Sequence, residues 1–176
     1  LNEIGPGFWL GPSTVSCNGE LLLSADCMEK SDGVKYSALW RSPDNGETWN
    51  KQGEFEHCHA YDGGMRRDGY GALYKDPRTG KVFYFGNELY WDNDSIDSTW
   101  RCRKPYYRIS DDCGRTWSEK HFMIQSGSDE DGAYDENHYM KGVVFGRNMA
   151  MMVVTKAIDL TDGSILVGMQ RQIPEG

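Results

Sequence analysis

Neither a long apolar run nor a surplus of positive charge occurs in the 176 residues of this chain. A membrane-crossing helix needs roughly 18 consecutive apolar residues; the longest apolar run here, Met149–Thr155, falls far short and reads as a buried strand. Lysine and arginine number 19 against 27 aspartates and glutamates, a formal charge of −8. Phosphate binding draws on a cationic face, so this balance argues against a nucleic-acid partner and against docking on anionic lipid. Cysteine is sparse: Cys17, Cys27, Cys58, Cys102 and Cys113 match neither CxxC zinc spacings nor a redox pair. Two readings stand side by side, one or two disulfides in an oxidising compartment or five buried thiols. The start lacks an initiator Met and a charged segment leading into an apolar one, which leaves a removed signal peptide or a beginning within a longer gene. No helical pattern of Ala, Leu, Glu and Lys at 3.6 spacing is visible, and no metal or cofactor is expected.

Glycine (21 residues) and aromatics (12%) are plentiful and fall at short, turn-punctuated intervals. That combination favours an all-β fold. An internal repeat sharpens it. Ser42-Pro43-Asp44-Asn45-Gly46-Glu47-Thr48-Trp49 recurs as Ser110-Asp111-Asp112-Cys113-Gly114-Arg115-Thr116-Trp117, an offset of 110 − 42 = 68 residues. The shared pattern, S-x-D-x-G-x-T-W, suits a tight turn between antiparallel strands. The Asp carboxylate can accept backbone N–H groups of its own turn. Two residues later Gly supplies a positive φ that a Cβ would resist. Thr returns the chain towards a strand, and Trp buries its ring against a neighbouring sheet. Each box is preceded by turn, strand, loop and strand: Gly19–Ala25 and Lys35–Arg41 before the first, Gly80–Gly86 and Lys104–Ile109 before the second. A third unit begins at Asp162–Met169, and its own box would fall beyond Gly176.

These boxes resemble the Asp box of the sialidase (neuraminidase) superfamily, over roughly residues 6–172. The resemblance implies part of a six-bladed β-propeller, with blade 1 at about 6–56, blade 2 at about 64–125 and the start of blade 3 at about 142–176. On that basis the 176 residues form one partial propeller domain, expected to be a piece of a longer protein and inactive alone. In that family the box is structural and lies away from the active site, which makes Ser42, Asp44, Gly46, Thr48 and Trp49, and Ser110, Asp112, Gly114, Thr116 and Trp117, framework residues. The implied activity is exo-acting hydrolysis of terminal sugars, sialic acid among them, in a secreted or extracytoplasmic protein. The alternative is a non-catalytic propeller that binds glycan or protein ligands.

Site residues follow from positions that would face a central pocket. The segment Asp26–Gly33 reads as a loop where the family carries its acid/base aspartate, and Asp32 is the nearest match, 42 − 32 = 10 residues before the first box. Glycoside cleavage needs such a carboxyl beside the leaving oxygen; the alternative is a solvated acidic loop. In His57–Gly69, Arg66 and Arg67, with Asp68 beside them, could grip a substrate carboxylate through paired N–H···O bonds, or form an ordinary exposed pair. His57 and His59 have no evident third ligand, so zinc is not expected. A third approach runs through the acidic, Tyr-rich stretch Asp129–Tyr139 to Arg147. Asn93-Asp94-Ser95 matches a glycosylation sequon. The chain departs from the family at Gly7–Val15, where the arginine of an Arg-Ile-Pro motif belongs and no basic residue occurs. Trp9, in that stretch, suits stacking on the face of a less acidic sugar.

Overall fold

The computed structural model describes residues 8–30, 33–61, 64–91, 100–123, 150–152 and 157–171. Every regular element among the described residues is a strand, so none is a helix long and apolar enough to cross a membrane. β1 (Phe8–Cys17), β2 (Glu20–Lys30), β3 (Gly33–Ser42) and β4 (Asn50–His57) form an antiparallel sheet in chain order. A second antiparallel sheet also runs in chain order, through β5 (His59–Tyr61), β6 (Gly64–Lys75), β7 (Val82–Trp91), β8 (Trp100–Ser110) and β9 (His121–Phe122). Two short antiparallel ladders follow, nested about the turn at Asp162–Gly163. They pair β10 (Ala150–Met152) with β13 (Met169–Arg171), and β11 (Ile158–Asp159) with β12 (Ile165–Leu166).

The turns account for the meander. Asn18 and Gly19 both hold positive φ (54° and 82°), the conformation that lets two residues join strands of right-handed twist, and Cys17 pairs directly with Glu20. The strands extend further than the sequence suggests. β2 runs on to Lys30, so Asp26–Lys30 is strand and not the loop expected there.

Packing explains the apolar character of β7. Its run Val82-Phe83-Tyr84-Phe85 does not alternate with polar residues because both faces of the second sheet are covered. Val82 and Tyr84 pack with Leu22, Phe55 and Tyr106 on the side of the first sheet. Phe83 and Phe85 turn the other way, to Tyr107, Met123, Ala157 and Ile165. A separate aromatic cluster of Trp9, Tyr36, Trp40 and Trp49 lies within the first sheet. Sheets stacked face to face, here with β1 against β6, are the arrangement of a β-propeller's blades.

The seam between the first two sheets is held by a covalent bridge at the box end and by a buried carboxylate further in. Cys17, closing β1, is bonded to Cys113 of the second box, 96 residues away, which excludes the reading of five free thiols. Cys27 and Cys58 keep their thiols outside any disulfide. Beside the bridge Arg41 donates to the Cys113 carbonyl at 2.7 Å and to Glu20 at 3.0 Å, and Arg115 reaches the same Glu20 oxygen at 2.9 Å. Deeper in the seam Asp26 is buried. It accepts the Ser37 hydroxyl at 2.5 Å and, across to β6, the Tyr70 N–H at 2.6 Å. Tyr70 sits at φ 54° where the β6–β7 register slips between Gly69 and Ala72. Such a bulge leaves an N–H out of the ladder, and the Asp26 carboxylate supplies its acceptor. Burial pushes the Asp26 carboxyl up to about 6, with the hydrogen bonds from Ser37, Tyr70 and Gly71 pulling the other way.

Candidate functional site

Antiparallel order divides the molecule into two ends. Both boxes, which follow β3 and β8, lie at one end together with the hairpin turns Asn18–Gly19 and Asp76–Lys81. The starts of β1 and β6 and the ends of β2 and β7 lie at the other. Trp9, Arg66, Arg67 and Asp68 therefore belong to the end away from the boxes, and Lys30 pairs with Gly33 there across the β2–β3 connection. Asp32, Arg147, the stretch 129–139 and the sequon at Asn93 lie outside the described residues.

At the start of β6, strand alternation separates neighbouring side chains. Asp68 pairs across the ladder with Glu88 of β7, so the two carboxylates share a face. Both are buried, with side-chain exposures of 0% and 4%. Lys120, from the segment between the second box and β9, donates to Asp68 and, at 2.9 Å, to Glu88. The Tyr106 ring supports its ammonium at 4.7 Å. Arg66, two residues before Asp68 on the same face, stands 3.9 Å from Asp68 and 3.7 Å from Glu88, with 32% of its side chain exposed. Buried carboxylates persist as charges only when paired, and two cations within reach of two carboxylates meet that condition.

The remaining candidates have other surroundings. Arg67 is buried and donates to the Val34 carbonyl of β3 at 2.9 Å, joining the two sheets. The Trp9 ring lies edge-on to Trp40 at 4.7 Å and to Tyr36 at 6.1 Å, so aromatic neighbours of its own sheet already hold it. Glu88 and Lys120 were not singled out in the sequence. For Glu88 a signal existed: Asn87-Glu88 interrupts an otherwise apolar strand, and a charge there needs a partner. Lys120 carried no signal, because its contacts come from strands distant along the chain.

The boxes are built as their residues require. Asp44 accepts the Thr48 N–H at 2.8 Å, the Thr48 hydroxyl at 2.5 Å and the Ser42 hydroxyl at 2.8 Å. Asp112 repeats the pattern with Thr116 and Ser110 and adds the Arg115 N–H at 2.9 Å. These bonds, those from the threonine hydroxyl foremost, hold Asp44 down at about 2 and Asp112 well below the usual carboxylate range. The aspartates are thus committed to their own turns. A groove of about 430 Å³ opens between β1, β6 and residues 157–159 towards the box end, and the Tyr74 hydroxyl donates to Asp159 there. It gathers no pair of carboxylates and runs along β1 and β6.

No protein-family model matches the chain, and no curated protein matches it. Among solved structures it is similar to one described as "Hadza microbial sialidase Hz136", at 18% identity and a TM-score of 0.60. The match covers 93% of this chain and 32% of that one, so the chain spans about a third of the length of the sialidase it resembles. The likeness establishes a sialidase-like all-β fold.

Proposed function

We propose that the full-length protein containing this chain is an exo-acting glycoside hydrolase of sialidase-like fold that removes terminal sugars from glycans, with sialic acid as one candidate sugar. The observation that carries this reading is the gathering of Arg66, Asp68, Glu88 and Lys120 at the start of β6, at the end opposite both boxes. In open sheets and propellers alike, ligands meet residues at strand ends and their connections, and clustered ionisable groups there favour a polar ligand. In this reading Asp32 acts as acid/base on the β2–β3 connection, while Arg66, and Arg147 with it, binds the substrate. The Cys17–Cys113 bridge supports a secreted or extracytoplasmic location, since disulfides persist in oxidising compartments.

Asp32→Asn in the complete gene product should lower turnover of a terminal-sugar substrate by about 10²–10⁴-fold while the melting temperature stays put. An unchanged rate removes Asp32 from the mechanism. One observation favours a second reading, a glycan-binding propeller without catalysis: β1 carries no basic residue at Phe8–Val15, where the resemblance places an arginine. Sugar binding without turnover would select it.

A further inference from the structure

Lys120 and Arg66 stand beside the same two carboxylates, and of these two cations Lys120 is the one hydrogen-bonded to them. Its ammonium donates to Asp68 and Glu88. Arg66 stays at 3.9 Å and 3.7 Å, outside hydrogen-bonding distance, and its buried Nε has no hydrogen-bond partner. An arginine beside two carboxylates ordinarily closes on them through two parallel N–H···O bonds. Here an ammonium, a compact charge able to serve both acids from one point, holds that place over the Tyr106 ring.

We propose that Lys120 is a positioning residue: by occupying Asp68 and Glu88 it keeps the Arg66 guanidinium available to a carboxylate on the ligand. The inference rests on the glycan-site reading above and adds to it the residue that arms Arg66. Without Lys120, the carboxylates would draw Arg66 inward, and an anionic ligand would meet their negative charge instead of a guanidinium.

The test compares N-acetylneuraminate with its uncharged methyl ester, each titrated against the complete gene product. The wild type should bind the acid more tightly than the ester. Lys120→Met should weaken the acid by about tenfold or more and leave the ester little changed, because only the charged group uses Arg66. Lys120→Met with Glu88→Gln, which removes one captor of Arg66 and relieves a buried charge, should recover most of the preference for the acid. That double variant also covers the case in which Lys120→Met alone fails to fold. An unchanged acid affinity in Lys120→Met overturns the proposal, as does a folded double variant with no acid preference. Equal binding of acid and ester by the wild type overturns it too, while leaving the glycan reading in place. Binding of neither probe sinks the acidic-sugar reading together with it.

Discussion

The two S-x-D-x-G-x-T-W turns share one hydrogen-bond scheme and differ in what surrounds it. Each places a non-glycine residue in the left-handed region before its glycine, Asn45 at φ 58° and Cys113 at φ 59°. In the first box that residue is exposed. In the second it is buried and bonded to Cys17 of the neighbouring sheet. The glycines differ in the same way. A Cβ on Gly46 would meet Leu21 of its own sheet at an ordinary 3.7 Å, whereas one on Gly114 would overlap Leu22 of the neighbouring sheet. The tryptophans follow suit: Trp49 joins the aromatic cluster of its own sheet, and Trp117 packs on Phe55 of the other at 5.2 Å. One motif thus serves as a self-contained turn in one place and as the anchor of a seam in the other.

Matched substitutions break that comparison most directly. Glycine costs nothing sterically at positive φ, so Asn45→Gly should change stability by no more than about 0.5 kcal/mol. Cys113→Gly loses a bridge closing a loop of 96 residues, for which loop-closure entropy gives about 4–5 kcal/mol. Urea unfolding of both variants without reductant measures the difference, and equal midpoints would deny the second box its anchoring role. Next in size, Gly114→Ala should cost about 3 kcal/mol or more, since backbone strain adds to the overlap with Leu22, against about 1–2 kcal/mol for Gly46→Ala from strain alone. Calorimetric melting of the two variants tests that order.

The remaining expected effects are pH dependences, and they carry opposite signs. Asp44 and Asp112 titrate lower folded than unfolded, so their contribution is complete above about pH 4 and fades as pH falls towards 2. Asp26 titrates higher folded, at about 6 against 3.8 unfolded. The folded state therefore holds the proton longer, and stability falls as pH rises between those values. Asp26→Asn should flatten this decline while leaving the acid loss of the boxes intact. Unfolding free energies from about pH 2 to 7 would show it, and an undiminished slope between about pH 4 and 6 in the variant would assign the decline to another group. The seam itself is joined covalently at its outer end and through a buried carboxylate further in.

Much of the fold was legible because its signals are local. A glycine at positive φ, an aspartate able to cap its own turn and an apolar run between turns need only residues a few positions apart. The expected strands at Gly19–Ala25, Lys35–Arg41, Gly80–Gly86 and Lys104–Ile109 all lie within or at the edges of observed ones. The candidate site was less legible. Arg66 and Asp68 stood out as charges in a glycine-rich approach, but nothing along the chain distinguished Arg66 from Arg67. Strand alternation sends one to the Asp68–Glu88 pair and the other to a backbone carbonyl of the next sheet. Asp26 read as part of an acidic loop, although it is a buried acceptor for a residue 44 positions away.

The sequence by itself determined the element type, the turns and the repeat, since each depends on dihedral preferences and hydrogen bonds within a few residues. Only the tertiary structure decided that Cys17 meets Cys113, that Lys120 rather than Arg66 takes the buried carboxylates, and that two equal boxes have unequal roles. Those outcomes depend on which faces of the stacked sheets come together, and contacts across 50 to 100 residues leave no periodicity in the chain to read.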